Sequence, residues 1–263
     1  MDFGGKTTVI TGGASGIGAA CARSFATRGA RVAVADLDGD GARRVADEIG
    51  GMAVACDVGR EAAVFDLVRQ VEAGFGPIDV FFSNAGIATG EDPLTTDPAV
   101  WQQQWDVNLM AHVHAIRAVL PGMLERGSGT LIHTASMAGI LTSHGKLPYA
   151  VTKHAVVGLA EWMSITYHDK GIRTSLLAPL GVRTPMLGDV ESPFARNVAG
   201  PIKEPEEVAE RVARAVEEER FLILTDAIAQ TWMDHKHRDL ERWLVGMRRM
   251  QATLEAEEPS RAR

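Results

Sequence analysis

Short apolar, β-branched runs alternate with longer amphipathic ones along most of the chain. Thr7-Thr8-Val9-Ile10, Arg31 to Ala35, Met52 to Cys56 and Ile78 to Phe82 have the length and composition of strands, and Ala19 to Arg28 and Ala62 to Phe75 carry helical spacing between them. Pro98 to Leu124 reads as helical, a further apolar run ends at Ser136, and Tyr149 to Lys170 reads as another helix. Strand Thr174 to Leu177, helix Pro205 to Glu218, strand Phe221 to Leu224 and one helix over Asp226 to Met250 complete the series. Alternation of this kind predicts an α/β fold: a doubly wound parallel sheet with right-handed crossovers and helices on both faces. Ala252 to Arg263 is charged and is expected to fray.

Composition narrows the function. The chain has 263 residues, 46% of them hydrophobic, enough for one large core, and a single domain over residues 1–250 is expected. A formal charge of -7 argues against nucleic acid or an anionic membrane as the main partner. Cys21 and Cys56 form no C-x-x-C pair, so buried free thiols are expected rather than a disulfide or cysteine metal site. The pairs His112/His114 and His235/His237 are two apart on helices and diverge, so no metal is expected. Without a signal-like start or a run of 18 apolar residues, a cytoplasmic location is expected.

The first strand runs straight into T-G-G-A-S-G-I-G, Thr11 to Gly18, and then into a helix. Glycines permit a tight turn and close backbone approach, and the helix start offers unpaired N–H groups to a pyrophosphate, as in Rossmann-type folds. The next strand ends in Asp36, where a carboxylate can take both ribose hydroxyls. That charge would oppose the 2′-phosphate of NADP, and Ala14 and Ser15 stand where a basic residue would have gripped it, so NAD is the predicted cofactor. Asp36, Asp57, Asn84 and Ser136 all fall at predicted strand ends, which gathers the chemistry along one sheet edge.

Tyr149 and Lys153 are four apart at the start of a helix and leave it on one face. A phenol beside an ammonium is a candidate proton donor and acceptor, and Ser136 is placed to hold a substrate oxygen against it. Taken alone, such a pair also fits a solvated helix surface. Ionising a tyrosine near neutrality takes about 4 kcal/mol. An ammonium about 5 Å away supplies roughly 3 kcal/mol at an effective dielectric of about 20, so Lys153 is expected to lower the Tyr149 pKa.

Together these motifs resemble the short-chain dehydrogenase/reductase family over nearly everything from Lys6 to Leu224: T-G-x-x-x-G-x-G at Thr11 to Gly18, N-A-G at Asn84 to Gly86, Ser136, and Y-x-x-x-K at Tyr149 to Lys153. The resemblance implies a catalytic set of Asn108, Ser136, Tyr149 and Lys153, with Asn108 anchoring a water that links Lys153 to solvent. It implies dinucleotide contacts from Gly12, Ser15, Gly16, Ile17, Gly18, Asp36, Leu37, Asp57, Val58, Asn84, Ala85, Gly86, Tyr149, Lys153, Pro179, Val182 and Thr184. Asp57 and Val58 would border the adenine, and Asn84 the nicotinamide ribose. Leu180 departs from the family's Pro-Gly, and either narrows the substrate cavity or packs inward.

Residues 187–203 resemble the family's variable substrate loop, and Met186, Leu187, Phe194 and Val198 would close an apolar pocket over a fairly hydrophobic substrate. Within the extension 226–250, Trp232 and Trp243 are expected to pack on the body or at a subunit contact sooner than to line the substrate pocket. His144 is expected to be a solvated loop histidine. The implied activity is NAD-dependent interconversion of a secondary alcohol and a ketone by a homodimer or homotetramer. A carbonyl or ketoacyl reductase working reductively, and a non-catalytic dinucleotide-binding protein, are the alternatives.

Overall fold

The structure, a computed structural model, describes residues 1–257. Seven strands, β1 (Thr7–Thr11), β2 (Arg31–Asp36), β3 (Met52–Ala55), β4 (Val80–Ser83), β5 (Gly129–Thr134), β6 (Ile172–Ala178) and β7 (Leu222–Leu224), form one parallel sheet in the order β3-β2-β1-β4-β5-β6-β7. The order reverses between β1 and β4, and the crevice at that switch point is where sheets of this kind hold ligands.

Between the strands run α1 (Gly16–Thr27), α2 (Gly39–Ile49), α3 (Glu61–Phe75), α4 (Pro98–Trp105), α5 (Ala111–Arg126), α6 (Ala138–Leu141), α7 (Leu147–Tyr167), α8 (Pro193–Asn197) and α9 (Pro205–Glu217); α10 (Ala227–Arg238) and α11 (Leu240–Glu257) follow β7. Successive strand residues feed opposite layers. Val9, Phe81 and Leu131 pack toward α3 and α5, whereas Ile10, Phe82 and Ile132 pack toward α1, α2 and α9. Continuous apolar strands such as V-F-F are what burial on both faces requires.

The doubly wound sheet is as the alternation predicts, and three local features differ. The stretch 98–124 is not one α-helix: a π-helical segment, Asp106–Met110, separates α4 from α5. The stretch 226–250 is two helices, because Asp239 takes an extended conformation (φ -156°, ψ 92°) and its carboxylate accepts from the Arg242 N–H at 2.9 Å, capping α11. Helix α11 then continues to Glu257, so Ala252 to Glu257 is helical rather than frayed; the remainder of the expected frayed tail lies outside the described residues.

Candidate active site

The ends of β1, β2, β4, β5 and β6 open onto one cavity of about 1660 Å³. Single-ligand clefts are usually about 300–1,000 Å³, so this one has room for a dinucleotide and a substrate together.

At one end lies the glycine loop. Gly12 has φ +66°, and a Cβ there would stand 2.8 Å from Ala85 Cα, so only glycine lets the loop meet the N-A-G turn. No side chain caps the start of α1, and Gly16 and Ile17 in its first turn face the cavity. A Cβ on Gly16 would come within 2.9 Å of Thr184 Cγ2, so the segment after β6 closes over this loop. The Asp36 carboxylate accepts from Ala14 N–H and from Asp38 N–H, each at 3.0 Å, which fixes its direction at the cavity rim. Among the described residues no lysine or arginine pairs with it.

Asn84 ties the strand ends together. Its amide donates to the carbonyl of Thr11 at 3.1 Å and its oxygen accepts from the Thr134 hydroxyl at 3.1 Å. Its side chain is thus a cross-link between the ends of β1 and β5, and the residue also lines the cavity.

At the other end Ser136, Tyr149 and Lys153 line the cavity together. Ser136 follows β5, and its Oγ accepts from Ala138 N–H at 3.1 Å. The Lys153 Nζ lies 5.6 Å from the Tyr149 ring centroid and donates to the Thr134 carbonyl at 2.8 Å. Burial pushes the Tyr149 phenol up, and a hydrogen bond with Ser136 offsets this only in part. Burial also lowers Lys153 to about 7. In the chain alone burial governs both groups, raising the phenol and lowering the lysine, so the lowering of Tyr149 expected from Lys153 is outweighed here by burial.

Asn108 and Gly18 do not line the cavity. Asn108 sits one layer behind in the π-helical segment, fully buried. Its Oδ1 accepts from Ile87 N–H at 2.8 Å, and its amide donates to Ile87 O at 2.9 Å, Thr152 Oγ1 at 3.2 Å and Gln104 Oε1. That bonding fixes the chain after N-A-G against α7, on which Tyr149 and Lys153 stand. Gly18 packs against the Gly12 carbonyl and the Asn84 amide, leaving no space for a side chain. Ser15, Leu37, Asp57, Val58, Ala85, Gly86, Pro179, Val182 and Thr184 all line the cavity.

Several contributors were not anticipated. Trp232 and Trp243 line the cavity and also pack with Met137, Leu141 and Leu180, so the pocket wall ranked last for them from the sequence is where they stand. Leu180 does both things left open for it, lining the cavity and packing inward against α10. Met186, Leu187, Phe194 and Val198 line it as expected. The loop 187–203 is pinned at its base, where Gly181 N–H donates to Ala199 O at 2.6 Å and Lys203 N–H to Gly181 O at 2.9 Å. His144 is only partly exposed, and its Nδ1 lies 2.7 Å from Gln251 Oε1 on α11, which docks the C-terminal helix onto the active-site segment. His112 meets His133 rather than His114, with their Nδ1 atoms 3.0 Å apart; burial holds both below the usual histidine range, His133 at about 4. Arg60 is a further cavity-lining cation. These contacts join residues far apart in sequence, and no local spacing announces them.

A short chain dehydrogenase family profile matches residues 6–193. The chain is 34% identical over 235 residues to a cyclohexanol dehydrogenase of Acinetobacter sp., covering 86% of this chain and 90% of that protein. It is 35% identical over 249 residues to a 1-deoxy-11-beta-hydroxypentalenate dehydrogenase of Streptomyces avermitilis, covering 91% and 92%. A crystal structure of a short chain dehydrogenase/reductase from Burkholderia phymatum in complex with NAD superposes with a TM-score of 0.84 at 29% identity, over 92% of this chain and 96% of that one. With the parallel sheet, the glycine loop and the Ser136, Tyr149 and Lys153 cluster, these matches show that the chain belongs to the short-chain dehydrogenase/reductase family.

Proposed function

We propose that this chain is an NAD-dependent oxidoreductase interconverting alicyclic secondary alcohols and their ketones. The observation that carries the reading is the convergence of Ser136, Tyr149 and Lys153 at one end of a cavity whose other end is a glycine cradle facing a fixed carboxylate, Asp36. The residues present fit a dinucleotide: the start of α1 is uncapped with Gly16 and Ile17 facing the cavity, and the Asp36 carboxylate, held by two backbone N–H groups, suits free ribose hydroxyls rather than a phosphate. Bound NAD⁺ supplies the hydride acceptor.

The chain's own residues do the rest. Ser136 orients the substrate oxygen, and Tyr149 takes its proton in oxidation or returns one in reduction. Lys153, beside the Tyr149 ring, would hold the nicotinamide ribose. Asn108 positions the N-A-G segment and α7; a water anchored there would link Lys153 to solvent. Gly12, Ser15, Gly16, Ile17 and Gly18 would form the pyrophosphate cradle, Asp36 and Leu37 would hold the adenosine ribose, and Asp57 and Val58 the adenine. Asn84, Ala85, Gly86, Pro179, Val182 and Thr184 would flank the nicotinamide half.

Relatives named for cyclohexanol, borneol and a chlorinated cyclohexadiene diol support a ring-bearing substrate, and so does an apolar wall built from Leu141, Leu180, Phe194, Trp232 and Trp243. Residues 1–250 act as one catalytic domain, with loop 187–203 and the C-terminal helices closing its substrate end. Val151, Trp162 and Ile165 leave apolar surface exposed on α7, which supports a homodimer or homotetramer. Among the described residues no helix is long and apolar enough to cross a membrane, and both cysteines are free, which supports a cytoplasmic enzyme. The test is NADH formation from NAD⁺ with cyclohexanol, borneol and 3-hydroxysteroids, beside the acyclic D-threitol. Turnover of the ring alcohols is expected; oxidation of D-threitol alone, or of none, contradicts the reading.

A further inference from the structure

The C-terminal hairpin does more than cover apolar surface. Helix α10 packs on α6, and α11 is tied at Gln251 to the active-site loop and at Glu257 to α8 of the substrate loop, through Asn197 at 3.3 Å and Arg196 at 3.5 Å. The hairpin therefore roofs the substrate end. At its break stand Arg238, the last residue of α10, and Arg242, in the first turn of α11. Both line the cavity, and among the described residues neither guanidinium makes an ion pair.

Charge in this part of the cavity is one-sided. Arg238, Arg242 and Lys146 face it, against one carboxylate, Asp239, whose Oδ1 is already engaged by the Arg242 N–H. Lys146 is turned to the Ala88 carbonyl at 3.0 Å, which leaves the two arginines available. The other lining carboxylates, Asp36, Asp57 and Asp106, belong to β2, the turn after β3 and the α4 side of the cleft. The dinucleotide phosphates have their own cradle at α1, so the arginines are not needed there. Arg238 and Arg242 are solvent-exposed residues of the cavity lining, and an apolar chamber with two unpaired arginines at its mouth matches a molecule with an apolar ring body and one anionic end; arginine's planar fork suits a carboxylate.

We infer that Arg238 and Arg242 form a carboxylate subsite, and that the preferred substrates are alicyclic hydroxy or keto acids whose reacting carbon lies at Ser136 and Tyr149 while the acid group lies at the hairpin. This rests on the proposed alcohol–ketone activity. The test compares 4-hydroxycyclohexanecarboxylate and lithocholate, two reaches from hydroxyl to acid, with their methyl esters on the NAD⁺-saturated enzyme. In at least one pair kcat/KM for the acid exceeds that for the ester by about tenfold, the scale of one charge-assisted contact, through KM rather than kcat. The acid-to-ester ratio falls toward one in the double variant Arg238→Gln/Arg242→Gln, and falls as salt rises from about 50 to about 500 mM. Esters used as well as acids in both pairs, or a double variant that keeps the preference, would overturn the subsite. Preference for phosphate-bearing or acyl-carrier thioesters over both acids would overturn it too. If no alcohol is oxidised, the activity itself is wrong, and the subsite is then read by calorimetry of lithocholate: saturable binding lost in the double variant supports it, and no binding overturns it.

Discussion

Replacing Lys153 by methionine tests the electrostatics of the site apart from its chemistry. Lys153 is 2% exposed, and burial lowers its pKa from 10.5 to about 7. The unfolded chain keeps the proton up to the higher value, so between these two pH values the unfolded form binds more protons and stability rises with pH. Below about pH 7 the lysine is charged in both states, and the folded protein bears the whole cost of burying the ammonium, roughly 5 kcal/mol at pH 6. At pH 9 roughly 2 kcal/mol of that cost remains. Lys153→Met removes this pH-dependent part and adds a constant loss of about 1–3 kcal/mol for the unpaired Thr134 carbonyl. Relative to wild type, the variant should therefore gain about 3 kcal/mol more at pH 6 than at pH 9, or roughly 6–12 °C in Tm for a domain of this size. Thermal unfolding of the dinucleotide-free proteins across that range measures it. A Tm difference that stays level with pH would refute the reasoning.

Three further substitutions test the cradle and the packing of α7. Asp36→Asn keeps an acceptor for the loop while removing the charge, and should raise the NADPH-to-NADH ratio of kcat/KM by about tenfold or more; an unchanged ratio in steady-state assays would mean Asp36 does not read the ribose. Gly18→Ala drives a methyl into the Gly12 carbonyl and within 2.8 Å of the Asn84 amide, whereas Gly158→Ala on α7 meets nothing within 4 Å. The first should abolish NADH binding measured by fluorescence quenching, and the second should raise stability by about 1 kcal/mol in denaturant titration; NADH binding retained by the first, or stability lost in the second, would contradict the packing.

The central architecture was legible in the sequence because its determinants are local. Thr11 to Gly18 joins strand to helix within one turn, and Tyr149 and Lys153 share a helix face by spacing alone. What escaped was long-range or electrostatic. The π-helical segment at Asp106–Met110 carries no sequence signature, yet it buries Asn108 behind the cavity. Trp232 and Trp243 have core-like spacing, which is the same whether a helix packs on the body or roofs a pocket. The stretch Asp226 to Met250 reads as one helix, although Asp239 within it breaks the run and caps the second half. The Lys153 pKa depends on enclosure by Thr134 and its surroundings, and Coulomb attraction judged from spacing alone left out the desolvation that outweighs it.

The most direct test of the account is Tyr149→Phe. The substitution removes one oxygen from a ring held between Ser136 and Lys153 and leaves the glycine cradle and Asp36 untouched. NADH production from the best ring alcohol should fall by about a thousandfold or more, the scale of losing the group that carries the proton, while NADH binding stays near that of the wild type. A variant that keeps even about a tenth of the activity would contradict tyrosine acid–base catalysis in this chain.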